Sequence, residues 1–151
     1  MSSSEAIDIV PAASVDKASW QRLYEGYGAF YKRDDMTMAI KNVWEWLNDP
    51  DHDVEGVVAR LNGEAVGLAH FRRMPSPLRG EFIGFLDDLF VDPAVRGQGV
   101  ATALFDHLEK VRGERGWAVI RWITAEDNAT ARSLYDRIGK QTTWVTYEIP
   151  A

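Results

Sequence analysis

The stretch FIGFLDDLFVDPAVRGQGVATAL, residues 82–104, decides the fold of this chain. Its first ten residues are apolar in both alternating sets except for Asp87 and Asp88, which is typical of a strand covered on both faces of its sheet. The strand is expected to end at Asp92-Pro93, and the turn 96–101 leads into a helix with apolar residues at helical spacing. Strict alternation predicts one face made of Ile83, Phe85, Leu89 and Val91, and an opposite face made of Phe82, Leu86 and Phe90.

The turn between this strand and helix has the composition of an anion-binding loop. Unpaired backbone N–H groups at a helix N-terminus attract a phosphate, and Gly97 and Gly99 let the backbone approach it closely. Arg96 adds a donor that can bind two oxygens at once. The loop is neither a Walker A motif nor the dinucleotide-binding fingerprint, because it lacks the lysine of the first and the glycine spacing of the second. Taken alone, it also fits an ordinary strand-to-helix turn with a solvated arginine.

Residues 86–104 read LDDLFVDPAVRGQGVATAL, and residues 128–139 read NATARSLYDRIG. The first block resembles the acetyl-CoA-binding motif of the GNAT superfamily of N-acetyltransferases, whose loop is Arg/Gln-x-x-Gly-x-Gly/Ala. The second resembles the later Asn-x-x-Ala-x-x-Leu-Tyr-x-x-x-Gly element of that superfamily. Both occur in the expected order, and the resemblance extends over residues 54–148. One position departs from the pattern, because Lys140 follows the final glycine where family members usually have Phe.

The resemblance implies a GNAT-like α/β fold of the mixed α+β kind. Its central, mostly antiparallel sheet would have six to seven strands, splayed at the acetyl-CoA site and flanked by about four helices. A single N-acetyltransferase domain over residues 1–151 is expected.

Hydrophobic patterning alone predicts the same mixed order of strands and helices. Helix N-caps are available at Ser14 or Asp16, and again at Asp127 or Asn128. Asn62-Gly63 is a strong signal for a hairpin turn. The predicted strands are residues 6–10, 54–61, 65–72, 82–91, 117–124 and 142–149. The predicted helices run from the first cap to about Lys32, over 37–47, from the glycine loop to a turn bracketed by Gly113 and Gly116, and from the second cap to Ile138.

Through the resemblance, the end of the central strand, the glycine loop and the second block are expected to bind coenzyme A. The loop would hold the pyrophosphate, and the strand end would pair with the pantetheine arm like an added strand. The expected cofactor-binding residues are Leu89, Phe90, Val91, Arg96, Gly97, Gln98, Gly99, Val100, Ala101, Thr102 and Asn128. The chain has no cysteine, so thiolate ligands are excluded and no metal site is predicted.

Asp87 and Asp88 are the candidates for handling the acceptor amine. An alkylammonium with a pKa near ~10.4 is neutral in only about one molecule in two thousand at pH 7, so a base helps. A carboxylate within an apolar strand is costly unless it is paired or used. Adjacent strand residues face opposite sides, so one aspartate should face the site while the other forms a structural ion pair or caps the strand. We take Asp87 as the water-linked base and Asp88 as the substrate contact, with the reverse assignment left open.

Tyr135 has two interpretations. Its spacing from Leu134 and Ile138 places it on a buried helix face, which favours core packing. The resemblance instead implies a general acid, because a tyrosine with a pKa near ~10 is still protonated at pH 7 and can donate to a thiolate leaving group. In that case the amine attacks the thioester directly, and no covalent enzyme intermediate is needed.

The first predicted helix carries aromatic residues spaced four, three and four apart, which therefore share one face. They are Trp20, Tyr24, Tyr27 and Tyr31. Core packing explains this face, but the resemblance implies that its three tyrosines also bind substrate, since hydroxyls and ring faces suit an amine. His70, near the end of a predicted strand, is expected to be a hydrogen-bonded structural residue or a surface group rather than a base.

Net charge and hydropathy argue against two classes of partner, nucleic acids and membranes. The formal net charge is −6 over 151 residues without a run of basic residues, so nucleic-acid binding is not expected. No window approaches about 18 consecutive apolar residues, so no membrane-spanning helix is predicted. The first residues, MSSSEAID, lack the pattern of a secretory signal, and a cytoplasmic location is expected.

The sequence therefore predicts an acetyl-CoA-dependent N-acetyltransferase that modifies a primary amine of a small molecule or a lysine. A non-catalytic acyl-CoA-binding module is the main alternative, although such a module would need neither the aspartate pair nor Tyr135. A phosphate or nucleotide site at the glycine loop is a third interpretation. The resemblance further implies a homodimer.

Overall fold

The computed structural model describes residues 6–151, which form a five-stranded sheet with helices packed on both faces. The strands are β1 (Ile7–Pro11), β2 (Val54–Leu61), β3 (Glu64–Ser76), β4 (Glu81–Val91) and β5 (Ile120–Arg121). The helices are α1 (Lys17–Phe30), α2 (Thr37–Leu47), α3 (Val100–Arg115) and α4 (Ala129–Ile138). Within residues 6–151, no helix has both the length and the apolar character needed to cross a membrane.

The strands lie in the order β1-β2-β3-β4-β5, with β1 to β4 antiparallel and β5 parallel to β4. The pairing of β4 with β5 covers only two residue pairs, Gly84 with Ile120 and Phe85 with Arg121. Beyond Phe85, β4 stays paired with β3 as far as Val91 and separates from β5. The predicted mixed α/β fold with a splayed, mostly antiparallel sheet is confirmed.

The hairpin that joins β2 to β3 has the geometry its sequence demands. Asn62 and Gly63 both have positive φ angles, 53° and 87°. Positive φ at both central residues is the requirement of the two-residue turn that matches the twist of a hairpin, and Asn-Gly meets it at the lowest steric cost. The predicted turn is therefore confirmed.

The far end of the sheet differs from the prediction of six to seven strands. Of the predicted strand over residues 117–124, only Ile120–Arg121 pairs, and residues 142–149 form no strand despite their alternating pattern. Apolar side chains of that segment are exposed, Tyr147 by 89% and Ile149 by 100%. A strand needs a partner edge, and a two-residue β5 offers too little of one. The exposed Lys140, where the family pattern has Phe, also gives this segment no apolar anchor.

Helix ends follow from local signals. Asp16 caps α1 by accepting a 3.0 Å hydrogen bond from a backbone N–H of the first turn, whereas Ser14 lies in a short 3-10 turn before the helix. Gly116 ends α3 in the left-handed conformation, with φ of 69°. Gly113 lies inside α3, so the predicted turn between two glycines is made by Gly116 alone.

Two apolar layers cover the two faces of the sheet. On one face α3 packs across the strands, with Leu104 and Leu108 buried. On the other face α1 and α2 pack, with Trp20 and Leu23 buried. The central strand β4 contributes to both layers, as its apolar alternating sets predict.

A bulge in β4 changes which residues share a face. His70 pairs with Asp88 while its neighbour Phe71 pairs with Leu86, so Asp87 is the extra residue on β4. Leu89 consequently packs in the α3 layer together with Leu86, and Phe90 packs in the α1 layer. The prediction from strict alternation, which grouped Leu86 with Phe90 and separated both from Leu89, was wrong because one inserted residue inverts the order of faces.

Gly84 is required by packing, and its replacement by alanine should destabilise the fold. A β-carbon there would lie 2.5 Å from Cε3 of the buried Trp117, so the sheet or the ring must move, at a cost of about 1–3 kcal/mol. Gly113→Ala is the matched control, because no atom lies within 4 Å of its added β-carbon and a helix interior gains about 0.5–1 kcal/mol from alanine. Urea unfolding measures both, and equal midpoints for the two variants would contradict the packing account.

Candidate active site

The loop that leads into α3 exposes the start of that helix. Gly97 and Gly99 have φ angles of 81° and 83°, which side-chain-bearing residues rarely adopt. No atom lies within 4 Å of a β-carbon added at either position, so the backbone conformation and not crowding requires glycine. Gly99 is the N-cap residue and supplies no side-chain cap. The first N–H groups of α3 therefore donate no hydrogen bond to an N-cap side chain, and uncapped N–H groups at a helix start can bind an anion.

A groove of about 520 Å³, the α3 groove, runs from this loop past the end of β4 to α4. The predicted cofactor-binding residues that line it are Leu89, Phe90, Val91, Arg96, Gly97, Gly99, Val100, Ala101, Thr102 and Asn128. Gln98 belongs to the loop but not to the lining. The groove thus brings together residues from the end of β4, the glycine loop and start of α3, and the start of α4, which the family resemblance assigns to one cofactor site.

The α3 groove begins where β4 parts from β5. Half of the backbone N–H and C=O groups of an antiparallel strand point away from its partner, here away from β3. Because β5 no longer pairs beyond Phe85, those groups near Leu89 and Val91 face the groove. Arg96 is exposed at the other end of the groove and forms no ion pair with any residue that the structure describes.

Tyr135, on α4, lines the α3 groove and is held by aromatic contacts. Its ring centroid lies 5.8 Å from that of Phe105 and 5.5 Å from that of Trp122, both edge-on. Burial raises the pKa of the Tyr135 hydroxyl, and the nearby Tyr31 raises it further. Tyr135 is therefore protonated at neutral pH and able to donate a proton.

The two adjacent aspartates have different environments. Asp87, the bulged residue, forms a partly exposed ion pair in which Arg72 Nε lies 2.9 Å from its Oδ2. The Asp88 side chain is 17% exposed and lies between β3 and α1. Asp87 is therefore the aspartate with a surface ion pair and Asp88 the less exposed one, while which of them faces the substrate stays a prediction.

Asp88 is the centre of a group of hydrogen-bonded side chains that we call the Asp88 cluster: Trp20, Tyr24, His70 and Asp88. Oδ2 of Asp88 lies 2.9 Å from Nδ1 of His70 and accepts a 3.0 Å hydrogen bond from the Tyr24 hydroxyl. The indole N–H of Trp20 donates to Nε2 of His70 at 3.0 Å. Burial raises the pKa of Asp88, but the hydrogen bonds with His70 and with the hydroxyls of Tyr27 and Tyr24 lower it more.

Tyr24, Tyr27 and Tyr31, the tyrosine row, lead from Asp88 to the α3 groove. Consecutive ring centroids are 5.8 and 5.0 Å apart. Tyr24 is buried and does not line the groove, whereas Tyr27 and Tyr31 do. Burial and the charge of Asp88 raise the pKa of all three hydroxyls, so each stays protonated at neutral pH.

Sequence reasoning missed the partnership of His70 with Asp88. His70 is 1% exposed and hydrogen-bonded, as expected for a structural histidine. Its partners, Trp20 on α1 and Asp88 on β4, lie far from it in sequence. The β2–β3 turn is encoded by Asn62-Gly63, yet the longer connection between β3 and β4 carries no signal for register. The bulge at Asp87 then decides which aspartate meets the histidine.

The pKa of Asp88 predicts a pH-dependent contribution to stability. Because the folded-state pKa lies below its ordinary value of 3.8, ionised Asp88 stabilises the fold above that pH, and the contribution is lost as the pH falls through the folded-state pKa. Asp88→Asn should lower the free energy of unfolding by about 1–3 kcal/mol at pH 7 and by less at pH 3. Urea unfolding at both values checks this, with the surface variant Asp53→Asn as control. An equal loss at both values would show that ionisation contributes nothing.

Comparison with known proteins agrees with this geometry. The model of the Acetyltransferase (GNAT) family matches residues 20–139. A D-amino-acid N-acetyltransferase of Saccharomyces cerevisiae is 25% identical over 135 residues, covering 88% of this chain and 84% of that protein. An acetyltransferase of Pectobacterium atrosepticum is 30% identical over 131 residues, covering 74% of this chain and 85% of that protein.

Solved structures show the same fold. A ribosomal-protein-alanine N-acetyltransferase from Brucella melitensis superposes with a TM-score of 0.81 at 28% identity, covering 97% of this chain and 99% of that one. An aminoglycoside N-acetyltransferase in complex with CoA superposes with a TM-score of 0.78 at 18% identity, covering 99% and 98%. The chain is an enzyme of the GNAT family of acetyltransferases.

Proposed function

We propose that this enzyme transfers an acetyl group from acetyl-CoA directly to a primary amine of a small molecule or a lysine. The observation that carries the proposal is the connection of three features: the α3 groove, Tyr135 in its wall, and the tyrosine row that leads from the groove to Asp88. An anion-binding helix start, a proton donor and a buried carboxylate are the parts that such a transfer needs.

Coenzyme A fits the residues that line the α3 groove. The start of α3, which has no side-chain cap, supplies donors for a pyrophosphate, and so does Arg96, which forms no ion pair within residues 6–151. The free edge of β4 near Leu89 and Val91 can pair with an amide-containing arm as an added strand would. Bound acetyl-CoA supplies the acetyl group as a thioester. A backbone N–H of that edge would donate to the thioester oxygen as its charge develops, and Asn128 would add a side-chain hydrogen bond.

Asp88 is the better candidate for contacting and deprotonating the acceptor ammonium, which reverses the order of preference taken from the sequence. The charge of Asp87 is balanced by Arg72 at 2.9 Å, whereas the Asp88 carboxylate faces neutral hydroxyls at the head of the tyrosine row. Tyr27 and Tyr31 would line the path of the amine between Asp88 and the groove. Asp87 then shapes the site through the bulge.

Tyr135 is proposed as the general acid. Its raised pKa keeps the proton on the hydroxyl at neutral pH, and its position in the groove wall suits donation to the leaving thiolate. The names of the relatives support an amine acceptor, since one acts on D-amino acids and another on the alanine of a ribosomal protein.

Homodimer formation stays a prediction from the family resemblance, and a cytoplasmic location and a single domain over residues 1–151 stay predictions from the sequence.

Tyr135→Phe should lower kcat by about a hundredfold or more and leave coenzyme A affinity unchanged, because only the proton donor is lost. Thiol release is measured across polyamines, amino acids, aminoglycosides and lysine peptides, with the exposed Tyr147→Phe as control. Turnover on one class identifies the acceptor. Tight coenzyme A binding with no turnover in the wild type or in either variant would favour the non-catalytic binding module.

Arg96→Gln should weaken coenzyme A binding by about ten- to a hundredfold, because a charged hydrogen bond to phosphate is lost. Isothermal titration calorimetry measures the affinity, and Arg73→Gln, whose partner is Asp53 on the surface, is the matched control. Equal affinity in both variants would remove Arg96 from the site. Displacement of coenzyme A by ATP at similar concentration would favour a general nucleotide site instead.

A further inference from the structure

We propose that Trp20 and His70 are positioning residues that keep the charge of Asp88 available for the acceptor ammonium, by holding the His70 ring in its neutral form. The inference rests on the proposed function, because it assigns Asp88 the amine. Neither Trp20 nor His70 touches the α3 groove, so both would act through Asp88.

The hydrogen bonds of His70 define its tautomer. An indole N–H can only donate, so Nε2 of His70 must accept the 3.0 Å hydrogen bond from Trp20 with its lone pair. The one ring hydrogen of a neutral imidazole is then on Nδ1, which lies 2.9 Å from Oδ2 of Asp88. A second proton on Nε2 would put two N–H groups against each other in a site where His70 is 1% exposed. Trp20 therefore opposes the imidazolium form.

All the donors of the Asp88 cluster point the same way. Trp20 donates to His70, and His70 and Tyr24 both donate to Oδ2 of Asp88. Oδ2 therefore carries no proton, and hydrogen bonds donated to a carboxylate favour its ionised form. Oδ1 accepts from neither His70 nor Tyr24, and a proton taken from the substrate ammonium would go there.

The surroundings of Asp88 make the state of His70 decisive. The titratable groups that interact with it are His70 from β3 and Tyr24, Tyr27 and Tyr31, which follow one another along and after α1. Over residues 6–151 no lysine or arginine forms an ion pair with Asp88, whereas Asp87 has Arg72. With His70 neutral, the Asp88 cluster carries one negative charge and attracts a cation. With His70 protonated, the cluster would be neutral and that attraction would be lost.

The sequence places these residues by helical and strand geometry together. Trp20 and Tyr24 are four apart on α1, so both reach the same strip of the sheet. The β4 bulge sets Asp88 directly opposite His70. A chain that needed only core packing here would save the cost of burying a carboxylate and a histidine by using apolar residues.

The test compares the pH dependence of acetyl transfer in Trp20→Phe with that in the wild type. Removing the indole N–H frees Nε2 to take a proton, so KM for the amine should rise on the order of tenfold at pH 6 and return toward the wild-type value at pH 8.5. His70→Asn keeps a donor toward Asp88 but has no basic nitrogen. The double variant Trp20→Phe/His70→Asn should therefore lack the rise in KM at pH 6 that Trp20→Phe shows.

Trp46→Phe, on the outer part of α2, and His107→Asn, on α3, are the matched controls, and unchanged coenzyme A affinity verifies folding. A purely structural role for Trp20 would lower kcat/KM equally at both pH values and would overturn the proposal. Nitrogen NMR of His70 in the coenzyme A complex gives an independent readout, and a hydrogen on Nε2 in the wild type would also overturn it. A wild-type protein that acetylates no amine but shows the Nδ1–H tautomer would remove the proposed function and leave the tautomer assignment intact.

Discussion

The burial of one carboxylate constrains this whole side of the molecule. Asp88 lies between β3 and α1, where an ionised group is stable only if donors surround it. The donors come from elements distant in sequence: a histidine on β3 and tyrosines on α1, backed by an indole. These hydrogen bonds form only if three features are correct together: the position of α1 on the sheet, the register of β3 against β4, and the bulge at Asp87. A polar network of this kind specifies one arrangement of its helices and strands, because partial satisfaction is worse than none.

The second constraint is the separation of β4 from β5. A fully paired sheet would leave no free backbone edge at Leu89 and Val91, and the helix that follows β4 would start against a covered strand. Two residue pairs between β4 and β5 are enough to attach the strand while leaving the α3 groove open beside it. The positive-φ glycines then turn the chain so that the start of α3 opens into the same groove. The fold thus places an anion-binding helix end and an unpaired strand edge side by side.

The neighbours Asp87 and Asp88 are identical in sequence but have different partners and different exposure in the tertiary structure. Asp87 is neutralised by Arg72 at the surface, and its extra position in the strand produces the bulge. Asp88 forms no ion pair with a lysine or arginine within residues 6–151, and although burial raises its pKa, hydrogen bonds with His70 and the tyrosine hydroxyls lower it more. The tyrosine row connects Asp88 to the α3 groove, because Tyr27 and Tyr31 line the groove together with Tyr135.

Much of this architecture is determined by local sequence. Positive-φ glycines around Arg96, the Asn62-Gly63 turn and the helical repeat of the tyrosine row depend on neighbouring residues only, and all of them could be predicted. Three features could not be. The alternating pattern of apolar residues carries no signal for the β4 bulge, so it assigns Leu86, Leu89 and Phe90 to the wrong faces of the sheet. The strand expected over residues 142–149 needed a partner edge that β5 does not offer. The Asp88 cluster depends on His70, Trp20 and Asp88 meeting across 18 to 50 positions of chain, and only the tertiary structure decides which donor reaches which acceptor.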